Sequence, residues 1–224
     1  KNEGNILPLS TTTIPKIALI GPHAATLVVD GSGSAYVTPF STVTPLQGIV
    51  ALAGVANVSY AKGCEINTAD TSGFAAAAAL AASADVVVFC GGLDGTQEGE
   101  GFDRVGGSTA LPGKQQDLVN RVAAVNPNVI GVIFSGGVCT LERCLGKLKG
   151  LLYAFYPGQE AGGALGEVLF GVVNPSGRMP VTMPQGDAQL PAWNDDLDDD
   201  HGCGYRWYDA TGKVPRFAFG HGLS

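Results

Sequence analysis

Five short apolar runs, separated by stretches able to form helices, constrain this chain more than any other feature. They are Lys16-Ile17-Ala18-Leu19-Ile20, Asn57-Val58-Ser59-Tyr60-Ala61, Asp85-Val86-Val87-Val88-Phe89-Cys90, Val129-Ile130-Gly131-Val132-Ile133-Phe134 and Leu151-Leu152-Tyr153-Ala154-Phe155. Most are β-branched or aliphatic throughout, with little polar alternation. Such runs belong to strands covered on both faces, as in parallel sheets. Thr44-Pro45 supplies an N-cap and a proline at the first helical position, which predicts a helix to about Gly54. Residues 70–84 carry an alanine run of high helix propensity, with Ser72 as the expected cap. Over 114–125, Leu118, Val119, Val122 and Ala123 share one helical face. A short helix is expected over 141–148. Another is expected over 159–170, where Ala161, Gly162, Gly163 and Ala164 allow close packing on a sheet and Gly171 ends the helix. The alternation predicts an α/β fold: a three-layer α/β/α sandwich around a mostly parallel sheet of about five or six strands, with an irregular C-terminal segment.

The expected organisation is an extended lead-in over 1–15, the sandwich over 16–173, and a segment over 174–224 that wraps the sandwich or marks a junction with another domain. A net charge of −7 without a basic cluster argues against a nucleic-acid partner. The apolar stretch Ala75–Ala82 is far below the ~20 residues that span a bilayer, so no membrane partner is expected. The five cysteines have no zinc-site spacing, and His23, His201 and His221 are scattered, so no metal is expected. Cys90 ends a buried run and reads as an inert core thiol. Cys139 and Cys144 could pair locally, and Cys64 and Cys203 over distance. Gly31-Ser32-Gly33-Ser34-Ala35-Tyr36 has neither phosphate-loop spacing, and no lysine follows it. It reads as a flexible loop. A flavodoxin-like cofactor binder is therefore disfavoured and no cofactor is expected.

The stretch Gln97-Glu98-Gly99-Glu100-Gly101-Phe102-Asp103-Arg104 follows the third run and precedes the helix start Leu111-Pro112-Gly113. Three acids and an arginine thus occupy a glycine-rich loop beyond the C-terminal end of a strand, where ligand chemistry lies in open α/β sheets. These residues alone leave open whether the acids are solvated or at work. Ser135-Gly136-Gly137 reads as a tight turn and His221 as a turn residue.

Longer motifs narrow the choice. They are Asn5-Ile6-Leu7-Pro8-Leu9, Ile17-Ala18-Leu19-Ile20-Gly21-Pro22, Glu100-Gly101-Phe102-Asp103-Arg104 with Leu111-Pro112-Gly113-Lys114-Gln115, Tyr156-Pro157-Gly158-Gln159-Glu160-Ala161-Gly162-Gly163-Ala164, Asn174-Pro175-Ser176-Gly177-Arg178-Met179-Pro180, Gly204-Tyr205-Arg206 and Phe219-Gly220-His221-Gly222. In this order they resemble the second, α/β sandwich domain of family 3 glycoside hydrolases, the β-glucosidase and β-xylosidase family. The resemblance implies retaining hydrolysis of terminal sugars from a β-linked oligosaccharide or aryl glycoside. Two carboxylates ~5–5.5 Å apart perform that chemistry. It further implies an Asp nucleophile on a preceding (β/α)8 barrel domain, with the acid/base on the loop of this domain. Glu100 matches the acid/base position of the Glu-Gly-x-Asp-Arg pattern, and Glu98 is a close competitor. A general acid working near neutrality implies a raised pKa once the cleft closes. Asp103 and Arg104 are expected to hold the loop, with sugar binding second. Tyr205 and Trp207, with Tyr208, could stack on a sugar, although packing at a domain junction is the better reading. Secretion or a periplasmic location is the family-level expectation. The chain carries no barrel, ends at Leu223-Ser224 where relatives continue, and has a Cys139/Cys144 pair outside the common pattern. It is read as a fragment or one subunit. A non-catalytic carbohydrate-binding or interaction module is the alternative.

Overall fold

A computed structural model describes residues 1–10, 12–13, 16–101, 104, 106–191 and 203–223. The apolar runs become β1 (Ile17–Ile20), β2 (Val58–Ala61), β3 (Val86–Gly92), β4 (Val129–Phe134) and β5 (Gly150–Tyr153). They form one all-parallel sheet in the order β2-β1-β3-β4-β5. Strand side chains alternate between two cores, as a period of two requires. Ala18, Ile20, Val87, Phe89, Val129 and Ile133 face one side. Ile17, Leu19, Val86, Val88, Ile130 and Val132 face the other.

Helices cover both faces. The first core is closed by α2 (Phe74–Ala82) through Ala77 and Ala81, and by α3 (Gln115–Ala123) through Leu118, Val119 and Val122. The second is closed by α1 (Pro45–Ala53) through Ile49 and Ala53, and by α4 (Ala161–Leu169) through Leu165 and Leu169. This is the expected three-layer α/β/α sandwich. Thr44 caps α1 in a reciprocal box with Gln47, at 2.8 and 3.3 Å. Helices α1 and α4 meet backbone to backbone: a Cβ on Gly48 would lie 1.8 Å from the Gly162 carbonyl oxygen.

Several expectations need correction. Ser72 does not cap α2. Its hydroxyl and N–H both donate to Asp70, and Gly73 occupies the N-cap position. The helix expected over 141–148 is a single 3-10 turn at Leu145–Lys147, too short for α-helical bonding to propagate. The C-terminal segment contains α5 (Gly204–Thr211), terminated by Gly212 in the left-handed region at φ 63°. Only Tyr208 is buried on it, so no continuous buried face marks this helix. None of the cysteine pairs forms; all five are free. Cys64, Cys90, Cys139 and Cys144 are buried, and burial pushes the Cys64, Cys139 and Cys144 thiols up to about 12. At the start of the chain, Asn2 bridges Gly150 at the start of β5 in antiparallel sense.

The strand order places the topological switch point between β1 and β3. The chain leaves β1 towards β2 and leaves β3 towards β4, so the two outgoing loops diverge and leave a crevice between them. The acidic loop is the one after β3, and the glycine- and serine-rich loop is the one after β1.

Candidate active site

The acidic loop starts at the end of β3, which is locked from below. The buried Gln115 side chain accepts from Gly92 N–H at 2.9 Å and donates to the Gly92 and Ile66 carbonyls, each at 2.9 Å. Asp94 then turns the chain. Its carboxylate accepts from Thr96 N–H at 2.9 Å and Thr96 Oγ1 at 2.6 Å, and its carbonyl accepts from the N–H groups of Gln97 and Glu98. Gln97 is buried and accepts from Asn67 Nδ2 at 2.8 Å.

Beyond this turn the two glutamates part company. Glu98 points inward: its side chain is 15% exposed and pairs with Arg104, 18% exposed, at 2.6 Å. Its other oxygen accepts from Tyr156 Oη at 2.7 Å and from the Gly136 N–H. A side chain on Gly136 would crowd this contact, its Cβ lying 3.1 Å from both Glu98 Oε1 and the Tyr156 ring. The Arg104 fork also donates to the Val138 carbonyl, so the loop is fastened to the connections after β4 and β5. Burial, followed by the Glu98 hydrogen bond and charge, pushes the Tyr156 hydroxyl well above its ordinary range, which keeps it a donor.

Glu100 faces outward across the crevice. One oxygen accepts from the Ser34 N–H and the other from Ser34 Oγ at 2.9 Å. These two donors hold its carboxyl below the usual range. In this chain by itself, the direction is therefore opposite to the raised pKa expected for a general acid.

Arg104, expected to hold the loop, has its guanidinium on Glu98 and the Val138 carbonyl. Asp103 lies outside the described residues. The other two substrate-binding candidates sit on α5 and have neighbours of their own. Tyr205 packs against Phe219 in a tilted pair, 5.3 Å between centroids. Trp207 donates Nε1 to the Gln189 carbonyl at 3.0 Å and carries Lys213 over its ring at 4.8 Å. Among the described residues, no hydrogen bond or ring contact joins either to the acidic loop. The acidic run 195–200 and His201 are also outside the described residues.

Sequence reasoning missed three partners. Ser34 lies in a glycine- and serine-rich loop whose spacing fits no phosphate. Its anion turns out to be a carboxylate of the same chain. Gly136 lies in a glycine turn and Tyr156 in a Tyr-Pro-Gly turn, and neither pattern points to a carboxylate partner.

No group of three or more potential metal ligands occurs among the described residues. No helix among them is long and apolar enough to cross a membrane.

An open α/β sandwich with a carboxylate-bearing loop over its switch point defines a class of domain in which function sits at the strand ends. Within that class, the chain belongs to the family described as the glycosyl hydrolase family 3 C-terminal domain, whose model matches residues 1–224. It is 44% identical over 170 residues to a probable β-glucosidase J of Aspergillus fumigatus, a match spanning 72% of this chain and 19% of that protein. It is 36% identical over 235 residues to thermostable β-glucosidase B of Acetivibrio thermocellus, spanning 100% of this chain and 30% of that protein. Among solved structures, a family 3 β-glucosidase of Bifidobacterium adolescentis superposes with a TM-score of 0.84 at 36% identity, covering all of this chain and 33% of the other. The chain thus spans less than a third of the length of these curated relatives.

Proposed function

We propose that this chain is the acid/base-bearing domain of a retaining, exo-acting β-glycosidase of the β-glucosidase or β-xylosidase type. It is catalytically complete only beside a barrel domain that supplies an Asp nucleophile. Glu100 is the acid/base: it protonates the leaving oxygen as the glycosyl–enzyme bond forms, then takes a proton from the attacking water. The observation that carries this assignment is the division of labour between the two glutamates. Glu98 is engaged with Arg104, Tyr156 and Gly136 inside the loop, whereas Glu100 stands exposed at the crevice with Ser34 holding it. A group that must exchange protons with substrate and water needs that access. The β-glucosidase relatives and the family membership support the reaction class.

The test is made in the full-length enzyme with aryl β-glucosides and β-xylosides. Glu100→Gln should lower kcat by about 10²–10⁴-fold on substrates with poor leaving groups. Glu100→Gly, given azide and a 2,4-dinitrophenyl glycoside, should regain turnover and release the β-glycosyl azide. If Glu100→Gln keeps wild-type kcat and its basic pH limb, the assignment is wrong.

A further inference from the structure

The loop after β1 reaches over the acidic loop from the other side of the switch point, and it is built around Asp30. Its carboxylate accepts from Ser32 N–H and Val37 N–H, both at 2.8 Å, closing residues 30–37 into a ring. Within the ring Ser32 and Gly33 both take positive φ, at 63° and 60°. A non-glycine residue there is uncommon and is held by its surroundings. At Gly33 an added Cβ would lie 2.5 Å from both Glu100 Cβ and Oε2. The ring therefore presents a side-chain-free surface to Glu100, then offers two convergent donors from one residue, the N–H and hydroxyl of Ser34.

We infer that Ser34, carried on the ring of residues 30–37, is a positioning residue for Glu100, acting as a clasp that holds the carboxylate ready as a base and frees one oxygen when it acts as an acid. The inference rests on Glu100 being the acid/base and adds the element that sets its protonation. With both oxygens accepting hydrogen bonds, the ionised form is favoured. Delivering a proton to the leaving oxygen requires one of these bonds to be given up. The Ser34 hydroxyl is the one able to do so by rotation about its own bonds, while the backbone N–H stays to orient the carboxylate. The described charged groups of the neighbouring loops are Asp30, Asp94 and the Glu98–Arg104 pair. The two Ser34 hydrogen bonds, and not the charge of any of these groups, are what lower the Glu100 carboxyl.

The test compares Ser34→Ala, Ser34→Thr and Glu100→Gln in the full-length enzyme through the pH dependence of kcat/KM. Ser34 is exposed, so its alanine variant should fold. Loss of the hydroxyl removes a donor to the ionised form, so the basic limb should move to higher pH while the acidic limb stays in place. Ser34→Thr keeps both donors and should overlay the wild type. Gly33→Ala, which drives a methyl into Glu100, should move the same limb and lower kcat. A Ser34→Ala profile that overlays the wild type would overturn the clasp, as would a change confined to KM, which would instead make Ser34 a sugar contact. The reading of Glu100 fails separately, if Glu100→Gln keeps its basic limb.

Discussion

Replacing Glu98 by glutamine separates an anchor from an acid. Its carboxylate meets Arg104 at 2.6 Å, Tyr156 Oη at 2.7 Å and the Gly136 N–H, and the ion pair is only 15% and 18% exposed. Breaking a fully buried pair by removing one partner costs about 3–5 kcal/mol, and an exposed pair is worth about 0–1 kcal/mol. This pair lies nearer the buried limit. Glutamine still offers a carbonyl to Tyr156 or Gly136, so the loss should be about 2 kcal/mol, and the alanine variant should lose about 3 kcal/mol. For a domain of this size each kcal/mol moves Tm by roughly 2–4 °C, giving a drop of about 4–8 °C for Glu98→Gln. Calorimetry of the full-length enzyme should find this in the transition of the sandwich domain. Because the pair is largely shielded, most of the difference should persist at high salt. Activity should fall as well, since the loop carrying Glu100 loses its fastening, but the basic pH limb should survive. An unchanged Tm together with loss of that limb would refute the anchor role and make Glu98 the acid.

Other consequences of the structure are directly measurable. His23 is buried, and neither ring nitrogen makes a well-formed hydrogen bond. Burial, against smaller opposing effects of the Asp94 charge and a weak contact with the Leu93 backbone, lowers its pKa to about 4. The unfolded chain then binds the extra proton below about pH 6.5. Stability should therefore fall between about pH 6.5 and 4, by on the order of 3 kcal/mol, and His23→Leu should flatten that part of the pH–stability curve. Gly48→Ala should destabilise by about 2 kcal/mol in chemical denaturation, because its methyl would meet the Gly162 carbonyl oxygen at 1.8 Å and force α1 from α4. A gain of about 1 kcal/mol from helix propensity would appear instead if the helices could part freely. Thr44→Ala, which breaks the capping box on α1, should cost about 1 kcal/mol in the same assay, and Thr44→Ser should recover most of it.

The sheet was legible because its strands are buried on both faces and so carry their signal residue by residue. Val86–Cys90 and Val129–Phe134 are short, continuous and rich in β-branched residues, and both are buried strands. Helix α1 announced itself through Thr44-Pro45, a cap whose chemistry is local. Helix α5 did not, because its N-cap residue Cys203 makes no side-chain cap and only Tyr208 on it is buried. The acidic loop was legible as a place. The partner of Arg104 was not, since Glu98 and Glu100 differ by two positions in a glycine-rich loop where no periodicity assigns a direction. What separates them lies far away in sequence: Tyr156 and Gly136 for one, Ser34 for the other.

That separation stems from the strand order. With β1 and β3 adjacent and their outgoing chains diverging, the loops after them stand on opposite sides of one crevice. Glu98 ties the acidic loop back to the connections after β4 and β5, on its own side. Glu100 reaches the loop after β1, on the other. A carboxylate fixed from one side would be rigid but could not alter its hydrogen bonding without loosening its support. Here the support and the adjustable contact fall on different residues. Ser34 can release an oxygen of Glu100 while Arg104, Tyr156 and Gly136 keep the loop in place. The two acids are therefore complementary rather than redundant. Exchanging their roles would require the loop to give up its ion pair, a cost of the same order as that worked out for Glu98→Gln.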